Sequence, residues 1–195
     1  MKVDILAIGA HPDDIELACS GTLLKHIEMG HRVGLLDLTK GELGSRGSAA
    51  IRKKEATLAA KMMGAVAREN VGLKDGFFDL EQSIMKLIPY IRKYQPDIVL
   101  ANAIADRHPD HGRAAEMIAR ACYLSGLLKI KTTWKNDKKA QQHWRPKQLF
   151  HYIQDRYIEP DFVVDITPYM ERKIELIQAY GSQFYNPKSK KYKKE

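Results

Sequence analysis

The apolar positions of this chain fall in short blocks whose period changes along the sequence. Residues 3–10 form an apolar run closed around Gly9, the pattern of a buried strand. Ile15, Leu17, Ala18, Leu23, Leu24 and Ile27 recur at roughly helical spacing, so residues 16–29 predict a helix with Gly30 at its C-cap. Residues 33–38 read as a second buried strand. Residues 51–63, rich in Ala, Lys and Met, predict a helix stopped by Gly64. Residues 70–73 predict a short third strand, 84–94 a helix with Pro96 beyond it, and 97–101 a fourth strand. A helix follows over 112–124. Residues 148–153 and 162–166 read as strands, and 169–180 as a last helix.

Strands alternate with helices through the first 125 residues. That alternation predicts an α/β fold: a mostly parallel sheet with right-handed crossovers and helices on both faces. Ligands of such sheets bind beyond the carboxyl ends of the strands. With 195 residues the chain fits a single domain over 1–187, with an excursion at 129–147 and a lysine-rich tail at 188–195. A chain of this size buries about two-thirds of its unfolded surface and needs no staple.

Composition is that of an ordinary globular protein, with 44% hydrophobic and 29% charged residues. Two cysteines, Cys19 and Cys122, in different predicted elements read as reduced thiols. The opening Met1-Lys2-Val3-Asp4-Ile5-Leu6 reads directly as a strand, without a signal peptide. No stretch reaches the ~20 apolar residues of a membrane span. The expectation is a cytoplasmic protein with no membrane partner. The net charge of +8 invites a nucleic-acid reading, but its distribution opposes one. The tail carries five Lys and one Glu, residues 129–147 carry seven Lys or Arg and one Asp, and the rest is near neutral. No recognition helix, aromatic RNA-binding strand or finger spacing accompanies the charge, so no nucleic-acid partner is expected.

Two dense polar clusters fall at the predicted carboxyl ends. Ala10-His11-Pro12-Asp13-Asp14 follows the first strand, and Asp106-Arg107-His108-Pro109-Asp110-His111 follows the fourth. A histidine before proline is kept out of helical geometry, so helices should start near Asp14 and near His111. His11, Asp14 and His111 can then converge above the sheet. Two neutral imidazoles and one carboxylate with an open position suit catalytic zinc, and the same set can hold ferrous iron. Spacing leaves open whether Asp13 or Asp14 is the ligand. The leftover groups suit hydrolysis, with a free carboxylate as base and a second imidazole, His108, as donor. Asp110, two residues on, would orient that imidazole or raise its pKa.

These paired His-Pro-Asp motifs resemble the zinc-dependent N-acetylglucosaminyl deacetylases of the LmbE, or PIG-L, family. The run from Leu38 to Gly47, Ile51-Arg52-Lys53-Lys54-Glu55-Ala56, Asp75-Gly76-Phe77-Phe78-Asp79 and Tyr180-Gly181-Ser182-Gln183-Phe184 resemble its bacillithiol biosynthesis branch. The resemblance spans about residues 3–185. It implies a Rossmann-like fold, one zinc held by His11, Asp14 and His111, and Asp13 as general base. It implies that His108 is the protonated partner of the oxyanion and amine, with Asp110 tuning it. It places Arg52 and Asp75 on the sugar, and makes Arg46 a candidate for malate carboxylates, with Arg107 as another unless it pairs with Asp106. The implied substrate is N-acetylglucosaminyl malate, and relatives often form homo-oligomers, hexamers among them. A different conjugate, chitobiose or an inositol derivative, is the same-family alternative.

Outside the family, a nucleotide-binding Rossmann domain would need Gly-x-Gly-x-x-Gly after the first strand, where His11-Pro12-Asp13-Asp14 stands instead. A non-enzymatic basic partner protein leaves both clusters unexplained. His26, His31, His143 and His151 read as surface or structural residues. Trp134 and Trp144 belong to the basic excursion, read either as a flap over the site or as a partly buried hairpin.

Overall fold

The computed structural model describes residues 1–184. The expected tail at 188–195 and the domain boundary at 187 lie outside the described residues. The strands are β1 (Ile5–Gly9), β2 (Val33–Thr39), β3 (Ala67–Leu73), β4 (Ile98–Ala101) and β5 (Gln148–His151). The helices are α1 (Asp14–Ala18), α2 (Ser20–Glu28), α3 (Ala49–Met63), α4 (Leu80–Tyr94), α5 (Pro109–Ser125) and α6 (Met170–Gln178). All five strands pair in parallel, in the order β3-β2-β1-β4-β5.

Alternation along β1 builds two cores. Leu6 and Ile8 pack with Leu87, Ile88 and Ile91 of α4 and with Met117 and Ile118 of α5. Ile5 and Ala7 pack on the other face with Ile15 of α1, Leu23 and Leu24 of α2, Met63 of α3 and Leu176 of α6. Side chains one residue apart on a strand point to opposite faces, so a continuous apolar run is what a doubly covered strand requires. The chain leaves β1 to one face and β4 to the other. The crevice between their carboxyl ends is the switch point where such sheets bind ligands.

Local signals set the helix ends. Ser48 and Asp79 accept from the backbone N–H of Ile51 and Gln82 at the starts of α3 and α4. Gly64, at φ 86°, ends α3 in the left-handed region that favours glycine. Pro109 opens α5, and His108 before it is extended (φ −80°, ψ 124°).

Three sequence expectations change. The single helix over 16–29 is two helices meeting at Cys19, whose backbone (φ −123°, ψ 7°) leaves the helical range. There the Ser20 hydroxyl donates to the Glu16 carbonyl, competing with the helical ladder. The strand expected at 162–166 has no ladder partner among the described residues; its Phe162 instead packs edge-on against Phe150 of β5. β3 is longer than its apolar part because Arg68 spends its charge inward, on Asp37 and Glu16. The basic excursion is a hairpin rather than a flap over the crevice. Thr133 and Ala140 form its bridge, Trp134 packs on Tyr90, and Trp144 donates to the Pro96 carbonyl at the amino end of β4. Both cysteines are buried free thiols. No helix of the described residues is long and apolar enough to cross a membrane.

Candidate metal centre

The switch point gathers the two His-Pro-Asp clusters. His11 follows β1, Asp14 opens α1, and His108 and His111 flank the first turn of α5. His111 Nε2 lies 3.2 Å from Asp14 Oδ1, and His11 Nδ1 lies 3.7 Å from Asp14 Oδ2. The remaining imidazole nitrogens meet other carboxylates. His11 Nε2 is 3.1 Å from Asp75 Oδ1 and 3.4 Å from Asp110 Oδ2, and His111 Nδ1 contacts Asp106. A carboxylate on the far side of an imidazole fixes the ring and its tautomer, as in metal sites. Two sets of three donor atoms lie within 4.8 Å of one another: His11, His108 and His111, and His11, Asp75 and Asp110. His108 therefore joins the imidazole cluster and Asp14 bridges two of its members.

The electrostatics fit a cation. Burial opposes charge on His11, but Asp110, Asp14 and Asp75 outweigh it and push its pKa up to about 12. Burial also opposes charge on His111, and Asp14 and Asp106 again prevail and raise it. Asp14, although buried, is held well below the usual carboxylate range by His11 and His111. Asp75, Asp106 and Asp110 are lowered too, by their histidine contacts against burial. A buried cage of carboxylates and imidazoles has the donor chemistry of a divalent-metal site.

Asp13 stands apart from this cage. Its backbone is left-handed (φ 110°), rare for a residue other than glycine. Its Oδ2 lies 3.0 Å from Arg52 Nη2. Burial pushes the Asp13 carboxyl up to about 7, with Arg52 opposing. Arg52 is itself buried, and it also donates to the carbonyls of Pro12 and Gly41. Gly41 (φ 63°) makes room for it, since a Cβ there would sit 1.9 Å from Arg52 Nη1.

The contact expected between the Asp110 carboxylate and His108 is made by backbone instead. The Asp110 N–H donates to His108 Nδ1 at 3.3 Å, while the carboxylate accepts from Gly76 N–H and from Arg113. An Nδ1 that accepts places the ring proton on Nε2. Burial, then His11 and His111, lower the His108 pKa against Asp110. Asp75 lies inside the centre: Leu43 N–H donates to its carboxylate, and its own N–H donates to Glu42. Arg107 is exposed and pairs with Asp155, since Asp106 is taken by His111. Arg46 donates to the Gln183 carbonyl, tying the 41–47 loop to the segment after α6.

Sequence reading missed Asn102 and Gln154. Asn102 Nδ2 donates to Asp14 Oδ2 at 3.0 Å, and Gln154 Nε2 donates to Asp14 Oδ1 at 3.2 Å. Asn102 directly follows β4, a position that could have flagged it; Gln154 carries no local signal.

Comparison with known proteins points to one family. The family model "PIG-L: GlcNAc-PI de-N-acetylase" matches residues 6–123, more than half of the chain. The structure is similar to that of the conserved protein TT1542 of Thermus thermophilus, with TM-score 0.84 and 36% identity over 93% of this chain and 80% of that one. Diacetylchitobiose deacetylase of Thermococcus kodakarensis is 28% identical over 92% of this chain and 70% of its own length. A probable N-acetyl-alpha-D-glucosaminyl L-malate deacetylase 2 of Bacillus anthracis is 25% identical over 92% and 81%. A 4-oxalmesaconate hydratase of Pseudomonas putida is 26% identical over 91% and 73%.

Proposed function

The chain belongs to the PIG-L (GlcNAc-PI de-N-acetylase) family, and from that premise we propose a metal-dependent hydrolase that removes acetate from an N-acetylglucosamine conjugate. The observation that carries the reading is the convergence of His11 and His111 on Asp14 at the switch point. These three side chains would hold the metal, which we propose to be zinc. A divalent metal there supplies a Lewis acid that polarises the amide carbonyl and makes water a better nucleophile near neutral pH. Asp13 takes the proton from the attacking water, and its left-handed backbone and Arg52 hold that carboxylate in place. His108, with Nδ1 capped by the Asp110 N–H, presents Nε2–H to the developing oxyanion. The amide C–N bond breaks, the water oxygen leaves in acetate, and the proton ends on the glucosamine nitrogen.

We propose N-acetylglucosaminyl malate as the conjugate, with Arg46 of the loop after β2 and Arg107 of the loop after β4 as partners for its carboxylates. The Bacillus anthracis relative supports that choice. The Thermococcus kodakarensis relative supports diacetylchitobiose equally. The test loads chelated protein with zinc and measures acetate released from both conjugates and from an inositol conjugate. Acetate release that depends on zinc, with His111→Ala losing metal and rate together, is the expected result. Full metal occupancy in His111→Ala overturns the ligand set. Hydration of 4-oxalmesaconate without acetate release from any conjugate overturns the reaction class, in favour of the chemistry named for the Pseudomonas putida relative.

A further inference from the structure

The carboxylate of Asp14 accepts more hydrogen bonds than a ligand alone would need. Oδ2 takes the His11 backbone N–H at 3.0 Å and Asn102 Nδ2 at 3.0 Å, with the His11 Nδ1 atom farther off at 3.7 Å. Oδ1 takes Gln154 Nε2 at 3.2 Å and faces His111 Nε2. The second Asn102 Nδ2 hydrogen goes to Gln154 Oε1 at 3.0 Å, which closes a ring of two amides and one carboxylate. Each carboxylate oxygen offers about two acceptor sites. Oδ2 is therefore saturated, and Oδ1 keeps one lone pair, on the side of His111.

The ring ties the first turn of α1 to the carboxyl ends of two neighbouring strands. Asp14 opens α1, Asn102 follows β4, and Gln154 follows β5. Asn102 is fixed from both sides: Tyr152 N–H donates to the carbonyl of Ala101, and His151 Nδ1 lies 2.8 Å from the carbonyl of Asn102 itself. Asn102 is fully buried, and its Oδ1 has no hydrogen-bond partner among the described residues. An unsatisfied buried acceptor is destabilising, a cost that an apolar residue there would avoid. The amide donor of Asn102 accounts for that cost, because only the donor side is used.

We infer that Asn102 and Gln154 are positioning residues that fix the Asp14 carboxylate and leave Oδ1 as its single ligand atom. This rests on the proposed role of Asp14 in holding metal. It assigns a function to the loop after β5, which lies outside both His-Pro-Asp clusters in the sequence. The partners that orient a metal ligand typically contribute about 10–100-fold to metal affinity.

The experiment compares Gln154→Met and Asn102→Ala with the unaltered chain in two ways. Zinc affinity is read by competition with a chelator. Ligand geometry is read from the visible absorption bands of the cobalt-substituted protein, which a remote packing defect leaves unmoved. Both variants should bind zinc about 10–100-fold more weakly and shift the cobalt bands. Gln154 is half-buried, so Gln154→Met should melt close to the parent in excess chelator and decides the matter even where Asn102→Ala folds poorly. Unchanged affinity and unchanged bands in Gln154→Met, with Asp14→Asn losing the metal, overturn the positioning inference alone. Parent-like zinc affinity in Asp14→Asn overturns the ligand assignment, and the inference with it.

Discussion

Replacing Arg68 by Met should destabilise the fold by about 3–5 kcal/mol, the cost of breaking a buried ion pair from one side. Arg68 stands on edge strand β3 with its side chain only 7% exposed. Its Nε and Nη2 donate to the two oxygens of Asp37 at 2.9 and 2.7 Å, and Nη1 reaches Glu16. Methionine fills much of the same volume but leaves Glu16 and Asp37 buried without a cation. Burial already raises the Glu16 pKa while Arg68 opposes it. Glu16 lies two residues beyond Asp14 on α1, so the strain falls on the helix that presents the proposed metal ligand. Each kcal/mol moves the melting point of a chain this size by about 2–4 °C, giving a fall of roughly 6–20 °C. The melt is run in excess chelator, so that metal binding does not add to the apparent stability. The loss should shrink as the pH falls far enough for Glu16 to take up a proton. A triple variant, Arg68→Met with Glu16→Gln and Asp37→Asn, removes the stranded charges and should recover more than half of the loss. A drop below about 1 kcal/mol, or a triple variant no more stable than the single one, refutes the reasoning.

Asp13→Asn should keep its metal and lose about a hundredfold or more in turnover, read by metal analysis beside acetate release. If it loses metal while Asp14→Asn retains it, the two carboxylates have exchanged roles. Gly41→Ala should dislodge the Arg52 guanidinium and strain a left-handed backbone, so turnover falls while zinc content stays; a fully active variant contradicts the close approach. Burial opposes charge on Glu69, but Lys93, Tyr94 and Lys135 outweigh it and lower its pKa. Its stabilisation is therefore complete above the unfolded value near ~4.3 and lost as pH falls through the lower folded value. Glu69→Gln should flatten the acid limb of the stability curve and cost no more than about 1 kcal/mol at neutral pH, a partly exposed pair being screened. An acid limb as steep as the parent's would assign it to other groups.

The parts of the fold and site that are legible in the sequence are those set by neighbours along the chain. Proline after His108 forces an extended residue and starts α5 at the next position, so the histidine cluster is visible as a motif. The apolar runs of β1 and β2 mark them as strands covered on both faces. β3 reads short because polar Arg68 and Glu69 mask its start, and only the buried Asp37 and Glu16 explain an arginine there. The break at Cys19 is hidden because the apolar spacing runs through it, while the bend arises from a Ser20 hydroxyl bonding back to Glu16.

What surrounds the donor set is not legible for a different reason. Asp75 reaches the His11 imidazole from a loop whose approach depends on strand order, and proximity in a parallel sheet is unrelated to separation along the chain. Asp110 shows the limit most sharply. Two residues from His108, its carboxylate looks like that ring's natural partner, yet the helical turn aims it at His11 and leaves the backbone N–H to meet His108. Local spacing states which groups share a turn; the turn's handedness then decides which side chain faces which neighbour. Gln154 lies 140 positions from Asp14 and is an amide like any surface glutamine until β5 pairs with β4 and carries it to the crevice. Candidate ligands can therefore be read from a motif, while the residues packed around them become visible only once the sheet is assembled.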